Sequence, residues 1–130
     1  MAEGFFLYQL NNHTSSPTTI SSAGLTAVVN YPAEPNASKV MQKHDIDISK
    51  HRARQLTNEL IRQTELILVM TKRHLAILEK QFLSARGKVF LLGHWQNFEI
   101  QDPIGQTLDT FETVYRQIEL AWQDWKTRVL

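Results

Sequence analysis

Asp102 is the residue of this sequence best placed to do acid–base chemistry. It stands before Pro103 in a polar loop that follows KVFLLG (88–93), an apolar run typical of a buried strand. Ligands of open α/β sheets bind outside the carboxyl ends of the strands, so a carboxyl group in such a loop is a candidate general acid. Taken alone, however, an Asp-Pro pair is more often a turn.

The histidines do not form a metal-binding pattern. None of them pairs with another histidine or a carboxylate at the usual ligand spacing within one predicted element. The five are His13, His44, His51, His74 and His94. We therefore expect neither a metal ion nor a cofactor. Two basic segments, KHRAR (50–54) and TKRH (71–74), could contact phosphate groups, although a solvated face is the plainer interpretation.

Composition excludes several classes of protein. The length of 130 residues fits one domain, and we expect a single domain over 1–130. A net charge of +1 and the absence of a long apolar run argue against nucleic acid and membrane as partners. The sequence contains no cysteine, which excludes disulfides, thiolate metal sites and cysteine catalysis by these residues. This composition is typical of a cytoplasmic protein.

Apolar periodicity predicts the helices. The first covers MAEGFFLYQL (1–10), before a polar loop at 11–19, and a second begins near Pro35. Thr57 and Thr71 are expected to cap two more, the latter ending near Gly87. The last and clearest helix has apolar residues at three- and four-residue steps. They are Leu108, Phe111, Tyr115, Ile118, Trp122, Trp125 and Val129.

Continuous apolar runs predict two strands, at ELILVM (65–70) and at 88–93, and a further short strand is expected at Ile20–Ala23, ending at Gly24. Strands that alternate with helices of this length imply right-handed crossovers. The sequence therefore predicts an α/β protein with a parallel sheet and helices on both faces.

Seven segments carry a family resemblance that runs in register over essentially the whole chain. They are ISSAGL (20–25), PAEPNA (32–37), DISKHRARQLT (47–57), ELILVMTKRHL (65–75), RGKVFLLGHW (86–95), EIQDP (99–103) and FETVY (111–115). Together they resemble the low-molecular-weight protein-tyrosine phosphatases, above all the bacterial members that act with capsule and exopolysaccharide tyrosine kinases. The resemblance implies a three-layer α/β fold with sheet order 2-1-3-4, and a phosphotyrosine protein as the partner.

The resemblance also implies roles for five residues. Asp102 matches the general acid, which protonates the leaving phenolate oxygen and later activates water. Ser22 and His51 match positions that hydrogen-bond the phosphate loop, and Arg54 matches a basic residue beside them. Ile104 stands where the family usually has an aromatic residue, so weaker stacking on a phosphotyrosine ring is expected at the pocket rim.

The family's nucleophile has no counterpart in this sequence. In the family, a first strand and a C-x-x-x-x-x-R-S/T loop come directly before the residues that match MAE, and that loop supplies the attacking cysteine and the phosphate-binding arginine. We therefore expect the chain to begin after this strand and loop, to lack the central strand of the sheet, and to be inactive as given. The open slot in the sheet is expected to allow self-association.

Three hypotheses follow. The chain is a tyrosine phosphatase without its start, whose substrate is a bacterial tyrosine kinase of polysaccharide export. Alternatively, it is a pseudo-phosphatase, which keeps the kinase-facing surface as a non-catalytic regulatory protein. A related arsenate reductase is disfavoured because that chemistry needs still more cysteines. The persistence of Asp102, Ser22 and His51 favours the first.

Overall fold

The structure is a computed structural model that describes residues 1–13 and 18–129. Helices and short strands alternate along the described chain. In order they are α1 (Ala2–His13), α2 (Pro35–Lys43), α3 (Asn58–Gln63), β1 (Ile67–Val69), α4 (Lys72–Gln81), a 3₁₀ turn (Leu83–Ala85), β2 (Val89–Leu91) and α5 (Leu108–Val129). None of the described helices is long and apolar enough to cross a bilayer.

Side-chain caps start three of the helices. Glu34 precedes α2 and its carboxylate accepts from the backbone amides of Asn36 and Ala37, at 2.8 and 3.1 Å. Thr57 accepts from an amide in the first turn of α3, and Thr71 does so in α4, both at 3.2 Å. The two predicted threonine caps are thus confirmed, because capping depends on residues within one turn of each other.

The two strands pair in parallel, in the register Ile67–Val89, Leu68–Phe90 and Val69–Leu91. Their side chains alternate between two apolar clusters, one on each face of the sheet. One face packs against α1, α2 and α5, and the other against α3, α4 and the 3₁₀ turn. The predicted α/β class, with helices on both faces of a parallel sheet, is therefore confirmed.

Helix α5 covers the apolar cluster on the sheet face that also packs against α1 and α2. Trp122 is among the most buried side chains of α5. Phe6 of α1 meets Trp122 edge to face, with ring centroids 4.9 Å apart. The indole nitrogen of Trp125 donates to the carbonyl of Leu92, just beyond β2, at 2.7 Å. The predicted apolar face of α5 is present, except that Leu108 at its first position is exposed.

The strand predicted at Ile20–Ala23 is wrong. These residues have no regular secondary structure, and Ser21, Ser22 and Ala23 are exposed. Pairing begins only at Gly24, whose amide donates to the carbonyl of Arg54 at 2.9 Å in a single parallel bridge. A strand forms only where a ladder of backbone partners exists, and among the described residues that ladder is limited to the single bridge at Gly24.

Several predicted boundaries also shift. The strands cover three residues each, Ile67–Val69 and Val89–Leu91, instead of the full apolar runs. Helix α1 continues to His13, into the predicted polar loop, whose residues 14–17 lie outside the described part. Helix α4 ends at Gln81, well before Gly87, which adopts a φ of +87° in the turn that leads into β2.

Candidate active site

The loop after β2 turns back across the end of β1 and so carries Asp102 to the carboxyl edge of the sheet. Gly93 forms an antiparallel bridge with Phe98, whose amide donates to the carbonyl of Gly93 at 3.1 Å. The amide of Ile100 then donates to the carbonyl of Met70, directly after β1, at 2.9 Å. Asp102 follows two residues later, at the edge where open α/β sheets bind their ligands.

Two further features fix this loop. A Cβ atom at Gly93 would overlap the carbonyl oxygen and the ring of Phe98, so the reversal of the chain needs glycine there. Farther along the loop, the carboxylate of Glu99 accepts from the backbone amide of Lys72 at 2.6 Å, in the first turn of α4. An acidic side chain is favourable at that helix terminus, and it ties the loop to α4.

Asp102 is exposed, and one of its carboxylate oxygens is held by its own loop. Oδ1 accepts from the backbone amide of Ile104 at 3.0 Å, and the amide of Gln106 donates to the carbonyl of Pro103 at 2.9 Å. The Asp-Pro pair therefore does form the turn that its sequence favours. The same turn holds Oδ1, and no hydrogen bond to Oδ2 is found among the described residues. Ile104 projects beside it with 67% of its surface exposed.

An open groove of about 350 Å³ separates this loop from α5, and we call it the Asp102 groove. Residues of the loop form one wall and residues of α5 form the other. They are Gln101, Asp102 and Gln106 on the loop side, and Thr110, Thr113, Val114 and Gln117 on the helix side. Apart from the carboxylate of Asp102, the lining side chains are uncharged.

The predicted support residues Ser22, His51 and Arg54 lie together around Glu3, and we call these four residues the Glu3 cluster. The hydroxyl of Ser22 donates to Oε2 of Glu3 at 2.5 Å, and Nδ1 of His51 lies 3.3 Å from the same oxygen. Arg54 donates through Nε to the carbonyl of Ser22 at 3.0 Å. One carboxylate in the first turn of α1 thus joins two segments that are distant in sequence.

Sequence reasoning missed the role of Glu3. An acidic residue in the first turn of a helix is explained by the helix dipole alone, so its type gave no reason to look for a partner. The one available signal was indirect: if the chain adopts the family fold, Glu3 lies close to Ser22 and His51. No hydrogen bond or ion pair among the described residues joins the Glu3 cluster to Asp102.

The basic segment 50–54 is held in place through its backbone and its arginines. The amide of Ala53 donates to the carbonyl of Tyr31, and its carbonyl accepts from the amide of Asn30, both at 2.8 Å. Arg52 donates to the carbonyls of Ser49 and His51. Arg52 therefore has carbonyl partners within the loop, whereas the partner of Arg54 is the carbonyl of Ser22 in another segment.

Comparisons with known proteins place the whole chain in one family. A family model described as low molecular weight phosphotyrosine protein phosphatase matches residues 1–130. The low molecular weight protein-tyrosine-phosphatase Wzb of Salmonella typhimurium is 44% identical over 108 residues, which is 82% of this chain and 72% of that protein.

Two solved structures have the same fold. The crystal structure of the Erwinia amylovora tyrosine phosphatase AmsI superposes with a TM-score of 0.89 at 38% identity, over 98% of this chain and 82% of that one. Vibrio vulnificus Wzb in complex with benzylphosphonate superposes with a TM-score of 0.88 at 33% identity, over 98% and 87%. This chain therefore belongs to the low-molecular-weight protein-tyrosine phosphatase family.

Proposed function

We propose that the reaction of this phosphatase family member is the hydrolysis of phosphotyrosine on a protein, in which Asp102 is the general acid and the nucleophile is a cysteine that these 130 residues do not contain. The observation that carries the proposal is the position of Asp102, exposed at the carboxyl edge of the parallel sheet. The bond from the Ile104 amide to Oδ1, at 3.0 Å, leaves Oδ2 free to hold and release a proton. A positioned acid of this kind typically accelerates a reaction by roughly 10²–10⁴-fold.

The proposed chemistry divides into two proton transfers at one carboxyl group. When a nucleophile attacks phosphorus and the bond from phosphorus to the phenolic oxygen breaks, Asp102 gives its proton to that oxygen. In the second step, the carboxylate of Asp102 takes a proton from the water that attacks the phosphorylated nucleophile. Ile104, exposed two residues beyond, would line the rim of the pocket for the aromatic ring.

The Glu3 cluster is proposed to support the phosphate-binding loop rather than the leaving group. Ser22 and His51 share the Glu3 carboxylate, which fixes the orientation of the hydroxyl and the imidazole. Arg54 holds the Ser22 backbone through its guanidinium. Such residues act by shaping the groups that touch phosphate, so their substitution should lower phosphate affinity as well as the rate of hydrolysis.

The proposed substrate is a phosphotyrosine protein, and we favour a bacterial tyrosine kinase of polysaccharide export. The related Wzb of Vibrio vulnificus is described in complex with benzylphosphonate, whose benzyl and phosphonate groups resemble the side chain of phosphotyrosine. That likeness supports an aromatic phosphate ester as the chemical class of substrate for this chain too.

We further propose that the chain does not itself hydrolyse phosphate esters, because it contains no cysteine to act as the family's nucleophile. The second candidate is a pseudo-phosphatase with a non-catalytic regulatory role, and the lack of cysteine in these residues is compatible with both candidates. Loss of a covalent nucleophile typically lowers kcat by about 10⁶-fold, so residual turnover would be undetectable in an ordinary assay.

Release of phosphate from an aryl phosphate tests this proposal. The chain by itself should give no turnover above buffer. A fusion protein that carries a hydrophobic strand and the family's C-x-x-x-x-x-R-S/T loop ahead of Met1 should hydrolyse the same substrate. Robust turnover by the chain alone would refute the inactivity, and a folded but inactive fusion protein would favour the pseudo-phosphatase.

A further inference from the structure

We propose that the Asp102 groove binds the polypeptide backbone that flanks the phosphorylated residue of the substrate. This inference rests on the proposed function, because it takes the reacting phosphate to lie at Asp102. The groove is continuous with that residue and runs from it along α5. Its volume of about 350 Å³ lies at the lower end of the range for sites that bind small molecules.

Three glutamine side chains give the groove its binding capacity. Gln101, Gln106 and Gln117 are among its lining residues, and none of their side chains makes a hydrogen bond within the described residues. Each amide offers two N–H donors and a carbonyl acceptor. The N–H and C=O groups of an extended peptide alternate in the same way and need partners of both kinds.

The remaining lining residues favour the same kind of ligand. Thr113 donates to the carbonyl of Asp109 at 3.1 Å, and Thr110 pairs with the hydroxyl of Thr107 at 3.3 Å, so both hydroxyls already have partners. Val114 is buried at the base. Asp102 is the only charge, so the groove gives an acidic flanking residue no cation to pair with. A flanking segment without acidic residues therefore fits it best.

A nuclear magnetic resonance titration of the full chain tests the proposal. The probe is a short peptide of alanine, serine, glycine and threonine with one central phosphotyrosine, and its unphosphorylated form serves as a second probe. Both should shift the side-chain amide signals of the three glutamines, because the flanking backbone is the same. Gln106→Ala and Gln117→Ala should each raise Kd about three- to tenfold, the effect of one lost hydrogen bond.

Gln81→Ala is the matched control, since Gln81 is exposed at the end of α4, outside the groove, and should bind like the original chain. In the fusion protein, the groove variants should raise KM for the phosphopeptide but leave KM for a small aryl phosphate unchanged. Glutamine signals that do not move, or groove variants that bind both peptides as tightly as the control, would overturn the proposal. The peptide titration measures binding and requires no turnover, so it tests the groove alone. The role of Asp102 as the acid is tested separately, by kcat of the fusion protein.

Discussion

Glu112 offers a test of how α2 and α5 are joined. Its carboxylate lies between two residues at the end of α2, with Oε1 3.1 Å from Nζ of Lys43 and Oε2 3.3 Å from Nε2 of His44. The ring of His44 also stacks on Tyr115 at a centroid distance of 3.8 Å. Replacing Glu112 with glutamine keeps the size of the side chain and removes its charge.

The two contacts should contribute unequally. Lys43 is 68% exposed, and such an ion pair is worth about 0–1 kcal/mol because water and salt screen it. His44 is 30% exposed and Glu112 only 16%, so this hydrogen bond is better shielded and worth roughly 1 kcal/mol. We expect Glu112→Gln to lower the free energy of unfolding by about 1–2 kcal/mol and Tm by about 3–8 °C.

The effect should depend on pH in a defined direction. The hydrogen bond from Lys43, and that from His44 after it, hold the pKa of Glu112 below its ordinary value of 4.5, although burial acts the other way. A carboxyl group with a lowered pKa in the folded state stabilises the fold above its unfolded pKa. That contribution is lost as the pH falls from about 4.5 through the lower pKa of the folded state.

Urea unfolding at neutral pH and at a pH well below 4.5 measures both effects. The difference between the original chain and Glu112→Gln should be full at neutral pH and should shrink in acid. Glu119→Gln is the control, because Glu119 lies exposed on the same helix without an ion pair among the described residues. If Glu112→Gln matches Glu119→Gln at neutral pH, or if its deficit grows in acid, the account of this contact is wrong.

Two further predictions concern the substrate rim and the sheet. In the fusion protein, Ile104→Tyr should raise kcat/KM for phosphotyrosine peptides a few-fold to about tenfold, because an aromatic pair adds about 0.5–1.5 kcal/mol. The kcat/KM for a small alkyl phosphate should not rise. Equal gains for both substrates would show that residue 104 does not line the ring pocket. In hydrogen exchange, the amides of residues 20–23 and those amides of β1 that do not bond to β2 should exchange fast in the isolated chain. They should slow down when a peptide of the family's first strand and loop is added, because in the described sheet β1 pairs with β2 alone and ligands of the folded state stabilise it. The amide of Ile67, which donates to the carbonyl of Lys88 at 2.8 Å, is the internal reference. A monomeric chain already protected at both sets of amides would contradict this.

Local rules made much of the fold predictable from the sequence. The caps Thr57 and Thr71 and the apolar stripe of α5 depend on residues a few positions apart, and all three appear as expected. The continuous apolar character of the runs at 65–70 and 88–93 likewise indicated a sheet covered on both faces. The place of Asp102 could be expected from the end of β2, because in this fold class strand ends and ligand sites coincide.

Features that depend on distant partners were harder to predict. Whether the segment Ile20–Ala23 becomes a strand depends on a neighbouring ladder, which its own residues do not encode. Glu3 contacts Ser22 and His51 only because the fold brings α1 beside the segment around residue 51. The Asp102 groove similarly arises between a loop and a helix, and no pattern within either one indicates it.

The role of Asp102 as a general acid is tested most directly by the dependence of kcat on the leaving group in the fusion protein. Asp102→Asn should lower kcat for phenyl phosphate by roughly 10²–10⁴-fold, the usual effect of a positioned acid. The loss should be much smaller for 4-nitrophenyl phosphate, because its leaving oxygen needs little protonation. An unchanged kcat for phenyl phosphate, or an equal loss for both substrates, would show that Asp102 is a turn residue and not the acid.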